Sequence, residues 1–300
     1  MNWLIISIIA YLFLTITLII ERILLTKSIP HPLVYAFYVG FLSVFILVLA
    51  PFGLIVPGFW QILISLLTGL LYLFGLIVFY QAIRQYEVSR VVPMVGSLEP
   101  IFTLVLSFVF LDERLSFWQI TAFFVLVIGG IFISLEKGAI GYLVRSWGLV
   151  LLAAFIFGLF YVLSKYIYLN QPFISGLIWG RLGSFLGALI LLLLPQTRKI
   201  IFGVSGAVKQ KTKISLIFLS SFILAALALF FIHYAVSLGS VSLVKALQGV
   251  QYIFLLLMVV FLAKKFPRLL EEKITKAAII QKLAAILLIS LGLGILAISG

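Results

Sequence analysis

This 300-residue chain has no cysteine, two histidines and only eight acidic residues. The lack of cysteine excludes disulfides, thiolate chemistry and iron–sulfur clusters. His31 and His233 are too few to supply a histidine-rich metal site, so neither a metal nor a cofactor is expected. Five of the acids (Glu87, Asp112, Glu113, Glu271 and Glu272) lie at the ends of apolar runs or between them. That leaves no carboxylate cluster for an active site and argues against an enzyme. No segment resembles a phosphate-binding Walker loop, so direct use of ATP is not expected. There is also no basic stretch ahead of the first apolar run, because Met1, Asn2 and Trp3 lead straight into it. The first segment therefore reads as a retained helix rather than a cleaved signal.

Apolar sequence is what the chain has in abundance: 65% of residues are hydrophobic and 10% are charged. A soluble core cannot absorb that much apolar surface, so the solvent must be lipid. A spanning helix needs about 20 apolar residues. Ten such runs occur, at 2–20, 33–50, 59–83, 88–111, 115–135, 147–168, 173–195, 214–238, 241–263 and 281–299. Of the 21 Lys and Arg residues, 17 fall in the odd-numbered loops or at their borders. Arg114 and Lys165 lie on the even side, while Arg181 and Lys245 lie inside helices. This asymmetry places the odd loops in the cytoplasm and both termini outside, in a multi-pass protein of the plasma (inner) membrane. The net charge of +13 is thus a matter of topology and attraction to anionic lipid, and no nucleic-acid partner is expected.

The chain also carries a faint echo of itself. Residues 82–110 align without a gap on 235–263, pairing Ala82 with Ala235, Val88 with Val241, Ser89 with Ser242, Val91 with Val244, Gly96 with Gly249 and Leu104 with Leu257. Further on, Gly129, Ile133 and Ser134 pair with Gly294, Ile298 and Ser299. Halves of five helices each, 1–138 and 139–300, must enter the membrane from opposite sides. The expected fold is therefore an all-α integral membrane protein of ten transmembrane helices, arranged as two inverted five-helix repeats. The stretch 263–282 carries an insertion, which reads either as an amphipathic helix on the cytoplasmic leaflet or as a basic loop. The stretch 196–213 reads as a flexible connector between the halves.

The segment from Tyr80 to Ser134 resembles the drug/metabolite transporter superfamily, in particular its EamA-type ten-helix members. The residues that carry the likeness are Ala82, the turn through Glu87, Val88 and Ser89, then Pro93, Gly96 and Pro100, the helix end Leu111-Asp112-Glu113, and Gly129-Gly130. The second half departs from the pattern: Ala246 and Ile253 stand where the prolines would repeat, and Lys265 and Phe266 where the acidic pair would. The resemblance implies a carrier of small organic molecules, often an exporter or exchanger. It also implies cytoplasmic termini, the reverse of the charge count.

Ionisable groups deep in a bilayer cost at least about 2.5–3.5 kcal/mol on insertion scales, so each needs a reason. Glu99 sits midway along helix 4, beside Pro100 and three residues after Gly96. Pro100 has no N–H for the carbonyl of Gly96, and the helix is expected to kink or open there. Glu99 is the candidate ligand for a substrate amine or the group that couples protons; the structural alternative is a packed, protonated or ion-paired acid. Arg181, near the middle of helix 7, is the candidate ligand for a carboxylate or phosphate, or else the counter-ion of Glu99. Lys245, Gln248 and Gln251 form a polar stripe on helix 9 that lines a cavity, unless Lys245 snorkels to the interface. Tyr72 and Trp179 are the aromatic candidates for substrate contact, ahead of Tyr11, Tyr80 and Tyr161. Lys165, Glu21 and His233 read as interfacial or packing residues. The segment Gly183-Ser-Phe-Leu-Gly187 reads as a helix-packing face.

These observations point to a secondary transporter working by alternating access. Its substrate would be a small organic metabolite such as an amino acid or organic anion, with protons or a counter-substrate as possible partners, in a monomer or homodimer. A flippase for a lipid-linked sugar or phosphate is the alternative reading of the same architecture.

Overall fold

The computed structural model describes residues 2–24, 31–86, 88–134, 139–205, 212–263 and 276–299. Among these, helices alternate with short turns and there is no strand. The helices are α1 (Asn2–Leu24), α2 (Pro32–Leu42), α3 (Phe59–Gln85), α4 (Val88–Leu111), α5 (Phe117–Ser134) and α6 (Ala139–Asn170), followed by α7 (Phe173–Leu193), α8 (Pro195–Ser205), α9 (Thr212–Leu238), α10 (Val241–Ala246), α11 (Gln248–Ala263) and α12 (Lys276–Ser299). Among the described residues, six spans are long and apolar enough to cross a membrane. Four shorter apolar stretches, Phe117–Phe132, Ile223–Leu238, Val241–Leu255 and Leu283–Ile298, coincide with the remaining expected helices. The all-α, multi-span class read from composition is the class observed.

Local chemistry sets several helix ends. The side chain of His31 caps α2, its Nδ1 accepting the N–H of Leu33 at 3.3 Å, and Pro32 occupies the first helical position, where its missing N–H costs nothing. Ser116 and Gln119 form a reciprocal capping box at the start of α5, with N–H-to-side-chain distances of 2.9 and 3.3 Å. Helix 2 does not stay α-helical to its end. It tightens into a 3-10 helix over Ser43–Phe52, with the single proton of the Ser43 hydroxyl shared between the carbonyls of Gly40 and Arg181.

Three expectations are corrected. The stretch 196–213 is not wholly a flexible connector, because Pro195–Ser205 is helical. The Thr197 hydroxyl takes up the carbonyls of Leu191 and Leu194 that end α7, and Ile201 is buried with Val34, Phe37 and Ala188. Of the kink or opening expected at Pro100, the opening does not occur, since α4 is continuous from Val88 to Leu111. The interruption falls instead in helix 9, which lacks proline and divides at Leu247 into α10 and α11. Most of the insertion at 263–282 lies outside the described residues.

The chain forms two compact units, each drawing on both sequence halves. One contains Met1–Ser28, Glu113–Ala139 and Lys211–Gly300, the other Ile29–Asp112 and Ile140–Gln210. In the first, α1 packs along α9 and α5 along α12. In the second, α3, α4 and α6 share an apolar core that includes Val78, Ala82, Val91, Val95, Val150 and Ala153. There α3 and α7 cross very closely. A Cβ on Gly69 would lie 2.0 Å from the carbonyl oxygen of Gly180, and one on Gly183 would lie 2.1 Å from that of Leu66. Ser184 seals the crossing with a hydrogen bond of 2.9 Å to the carbonyl of Gly69. The packing face read at Gly183–Gly187 is this crossing.

Candidate functional site

The second unit brings its intramembrane charges onto neighbouring helices. Glu99, only 5% exposed, sits on α4. The carbonyl of Glu99 accepts the Thr103 hydroxyl at 2.8 Å, and α6 reaches this point through Gly158, where an added Cβ would lie 3.0–3.4 Å from Phe102, Thr103 and Glu99. One turn beyond Gly158 stands Tyr161, buried and within electrostatic reach of Glu99, Tyr72 and Arg181. Tyr72 of α3 packs at a tilt against Phe160 with centroids 4.8 Å apart. The Arg181 guanidinium of α7 lies over the Tyr72 ring at 5.1 Å from its centroid, a cation–π contact. Tyr168, two turns along α6 from Tyr161, also lies within the field of Arg181.

Among the described residues, Arg181 has no carboxylate partner. The ion pair with Glu99 that would have neutralised both groups does not form. A carboxylate on α4 and a guanidinium on α7 thus both lie within electrostatic reach of the Tyr161 phenol on α6.

Trp179 has a structural task. Its indole N–H and the Ser175 hydroxyl both donate to the carbonyl of Ile55, at 3.0 Å each. These bonds tie the segment between the 3-10 helix and α3 onto α7. Tyr80 stacks on Tyr35 at 4.1 Å. Tyr161 ranked behind Tyr72 and Trp179 in the sequence because an aromatic residue in so apolar a chain carries no mark of its partners.

The first unit holds the rest of the expected site. Lys245 is buried, 3% exposed. Gln251 is buried and Gln248 half-buried. The break at Leu247 lies between Lys245 and Gln248. The carbonyl of Val244 accepts the Tyr11 hydroxyl at 2.9 Å, and that of Gln251 accepts the Thr15 hydroxyl at 3.2 Å. Tyr11 therefore braces the interrupted helix. His233 is buried, as expected of a packing residue. The Glu21 side chain lies outside the described residues. Groups of acids or histidines suited to a metal ion do not occur among the described residues.

A bundle of apolar helices carrying a buried carboxylate and a half-buried guanidinium inside one unit defines the chain as a multi-span membrane protein. Residues 1–135 match the model of the EamA-like transporter family, which is part of the drug/metabolite transporter superfamily. The match implies a membrane transporter of that type. No curated protein matches it in sequence. Fifteen chains of solved structures match its fold. One of them, described only as the crystal structure of a protein, aligns with a TM-score of 0.68 over 98% of this chain and 97% of its own, at 16% identity. That likeness establishes the fold alone.

Proposed function

We propose that the protein is a secondary transporter, an exporter or exchanger of small organic metabolites bearing a carboxylate, such as amino acids or organic anions. The observation that carries this reading is Arg181, a guanidinium inside a membrane span that faces an aromatic ring and no carboxylate among the described residues. Such a group offers a bidentate fork to an incoming carboxylate. Glu99, buried beside Tyr161, is the group that meets the substrate amine or carries the coupled proton. Alternating access by the two inverted five-helix repeats moves the loaded site between the two faces. The chemistry is transport and not catalysis.

Counterflow in proteoliposomes tests this. Vesicles loaded with an unlabelled amino or organic acid should accumulate the same labelled compound. Arg181→Ala should raise the half-saturation concentration about 10–100-fold, the equivalent of losing a charge-assisted hydrogen-bond pair. Glu99→Gln should abolish coupling with folding intact. Unaltered transport of every carboxylate by Arg181→Ala would overturn the assignment. Movement of a lipid-linked sugar or phosphate in place of soluble acids would establish the flippase reading.

A further inference from the structure

Three polar side chains meet where α3 begins and α6 gives way to α7. Ser65 is fully buried on α3, and its hydroxyl donates to the carbonyl of Gln61 at 2.8 Å. Gln171, in the two-residue turn between α6 and α7, is 7% exposed and donates its Nε2 to Ser65 Oγ at 2.9 Å. A serine hydroxyl has one proton to give. Ser65 has given it to Gln61, so Gln171 must face Ser65 with its amino group, and the amide orientation is fixed by the network.

The carbonyl oxygen of Gln171 is then buried without a hydrogen-bond partner. The side-chain oxygen of Gln61, one turn before Ser65 on the same helix face, is in the same condition. Buried polar atoms ordinarily find a partner within the fold. Two unmet acceptors flanking one serine mark a place where a donor arrives from outside it.

The chemistry of the set selects the donor. The two amide carbonyls and the hydroxyl oxygen are all neutral acceptors. A carboxylate or phosphate would set acceptor against acceptor, whereas an ammonium carries three donors on one atom and no acceptor. We infer that Gln61, Ser65 and Gln171 form a binding station for the primary ammonium of a solute, an inference that rests on the transporter reading above. Ser65 and Tyr72 are seven residues apart, two turns along one face of α3 and about 10 Å of helix. The station therefore shares its helix face with the ring beneath Arg181. A solute with an amine at one end and a carboxylate at the other is met first by one group and then by the other.

Thermal-shift measurements on the full chain in lipid nanodiscs test this with three probes: ethylamine, propionate and alanine. Ethylamine should raise the melting midpoint of the wild type and of Arg181→Ala equally, and should lose that effect in Gln61→Leu and Gln171→Leu. Should Gln171→Leu fail to fold, Gln171→Glu decides, since it keeps the shape and adds a charge. It should bind ethylamine about tenfold more tightly than the wild type. No ethylamine shift in the wild type means that water alone serves the two oxygens, and this overturns the station. So does an ethylamine response indifferent to Gln171→Glu. A propionate shift that survives Arg181→Ala removes the anion reading while leaving the ammonium station in place, so the two failures are distinguishable.

Discussion

At Arg181 the magnitudes decide what kind of residue it is. Placing a guanidinium in mid-membrane costs at least about 2.5–3.5 kcal/mol. A cation–π contact such as the one with Tyr72 returns about 0.5–2 kcal/mol. The ring alone does not offset the charge, and that shortfall is what the proposed substrate carboxylate would make good. His31 shows the opposite economy, at a helix end outside the spans. Burial and then the charge of Arg84 push its imidazole below the ordinary value of 6.5. Its neutral Nδ1 also accepts the N–H that caps α2. A histidine whose folded pKa is depressed binds its proton more readily when unfolded, so its contribution is complete above pH 6.5 and declines as pH falls below that value. The melting midpoint of the wild type should drop between pH 7.5 and pH 5 by the equivalent of a lost cap, about 1 kcal/mol. In His31→Asn, which keeps a capping oxygen, this part of the pH dependence should vanish. An identical pH profile in both proteins would remove His31 from the account.

The crossing of α3 and α7 is the element on which the second unit depends. Apolar helices in lipid gain no hydrophobic drive from one another, so close backbone approach through small residues supplies the packing. Gly69 and Gly183 sit where any Cβ would run into backbone of the facing helix, which cannot swing away as a side chain can. Gly183→Ala should therefore destabilise the protein by about 1–3 kcal/mol, the usual cost of overpacking. Gly148→Ala is the matched control. Nothing lies within 4 Å of its would-be Cβ, and alanine favours a helix by up to about 1 kcal/mol over glycine. Unfolding titrations in mixed detergent should separate the two variants in sign, and equal stability would mean that the crossing yields. This face was legible in the sequence because Gly183 and Gly187 are four residues apart in an apolar run. The 3-10 segment after α2, the helix α8 and the break at Leu247 were not. Each depends on a long-range contact: Ser43 with the carbonyl of Arg181, Ile201 with Val34 and Phe37, and Tyr11 with the carbonyl of Val244. Proline marked helix 4 as the one to open, yet α4 stays whole.

Over the whole molecule, composition and run length were enough to give the helices, because the bilayer fixes their length and forbids exposed backbone. They were not enough to give the grouping into units, which takes α1 and α5 from one half and α9 to α12 from the other. In lipid the face toward a neighbour and the face toward the bilayer are both apolar, so the periodicity that orients a soluble helix is absent. For the same reason Glu99 and Arg181 stood out individually, while the phenol of Tyr161 beside them did not. Within their separate units, Ala82 and Ala235, Val91 and Val244, and Gly96 and Gly249 are all buried, as copies of one ancestral segment would be. Inverted copies, as the sequence echo proposes, would leave the orientation open to either choice, and only the cations would break the tie. With 17 of 21 on the odd-loop side, the loop after helix 7 should be cytoplasmic and the loop before helix 5 external. The absence of native cysteine makes this directly measurable. Lys199→Cys, exposed on α8, and Trp118→Cys, exposed at the start of α5, each introduce a single thiol. An impermeant maleimide added to intact cells should label Trp118→Cys at once and Lys199→Cys only after permeabilisation. The reverse pattern would show that the termini are cytoplasmic, as the family resemblance implies. The basic loops would then be external, and their charge would have to be explained by something other than the insertion rule.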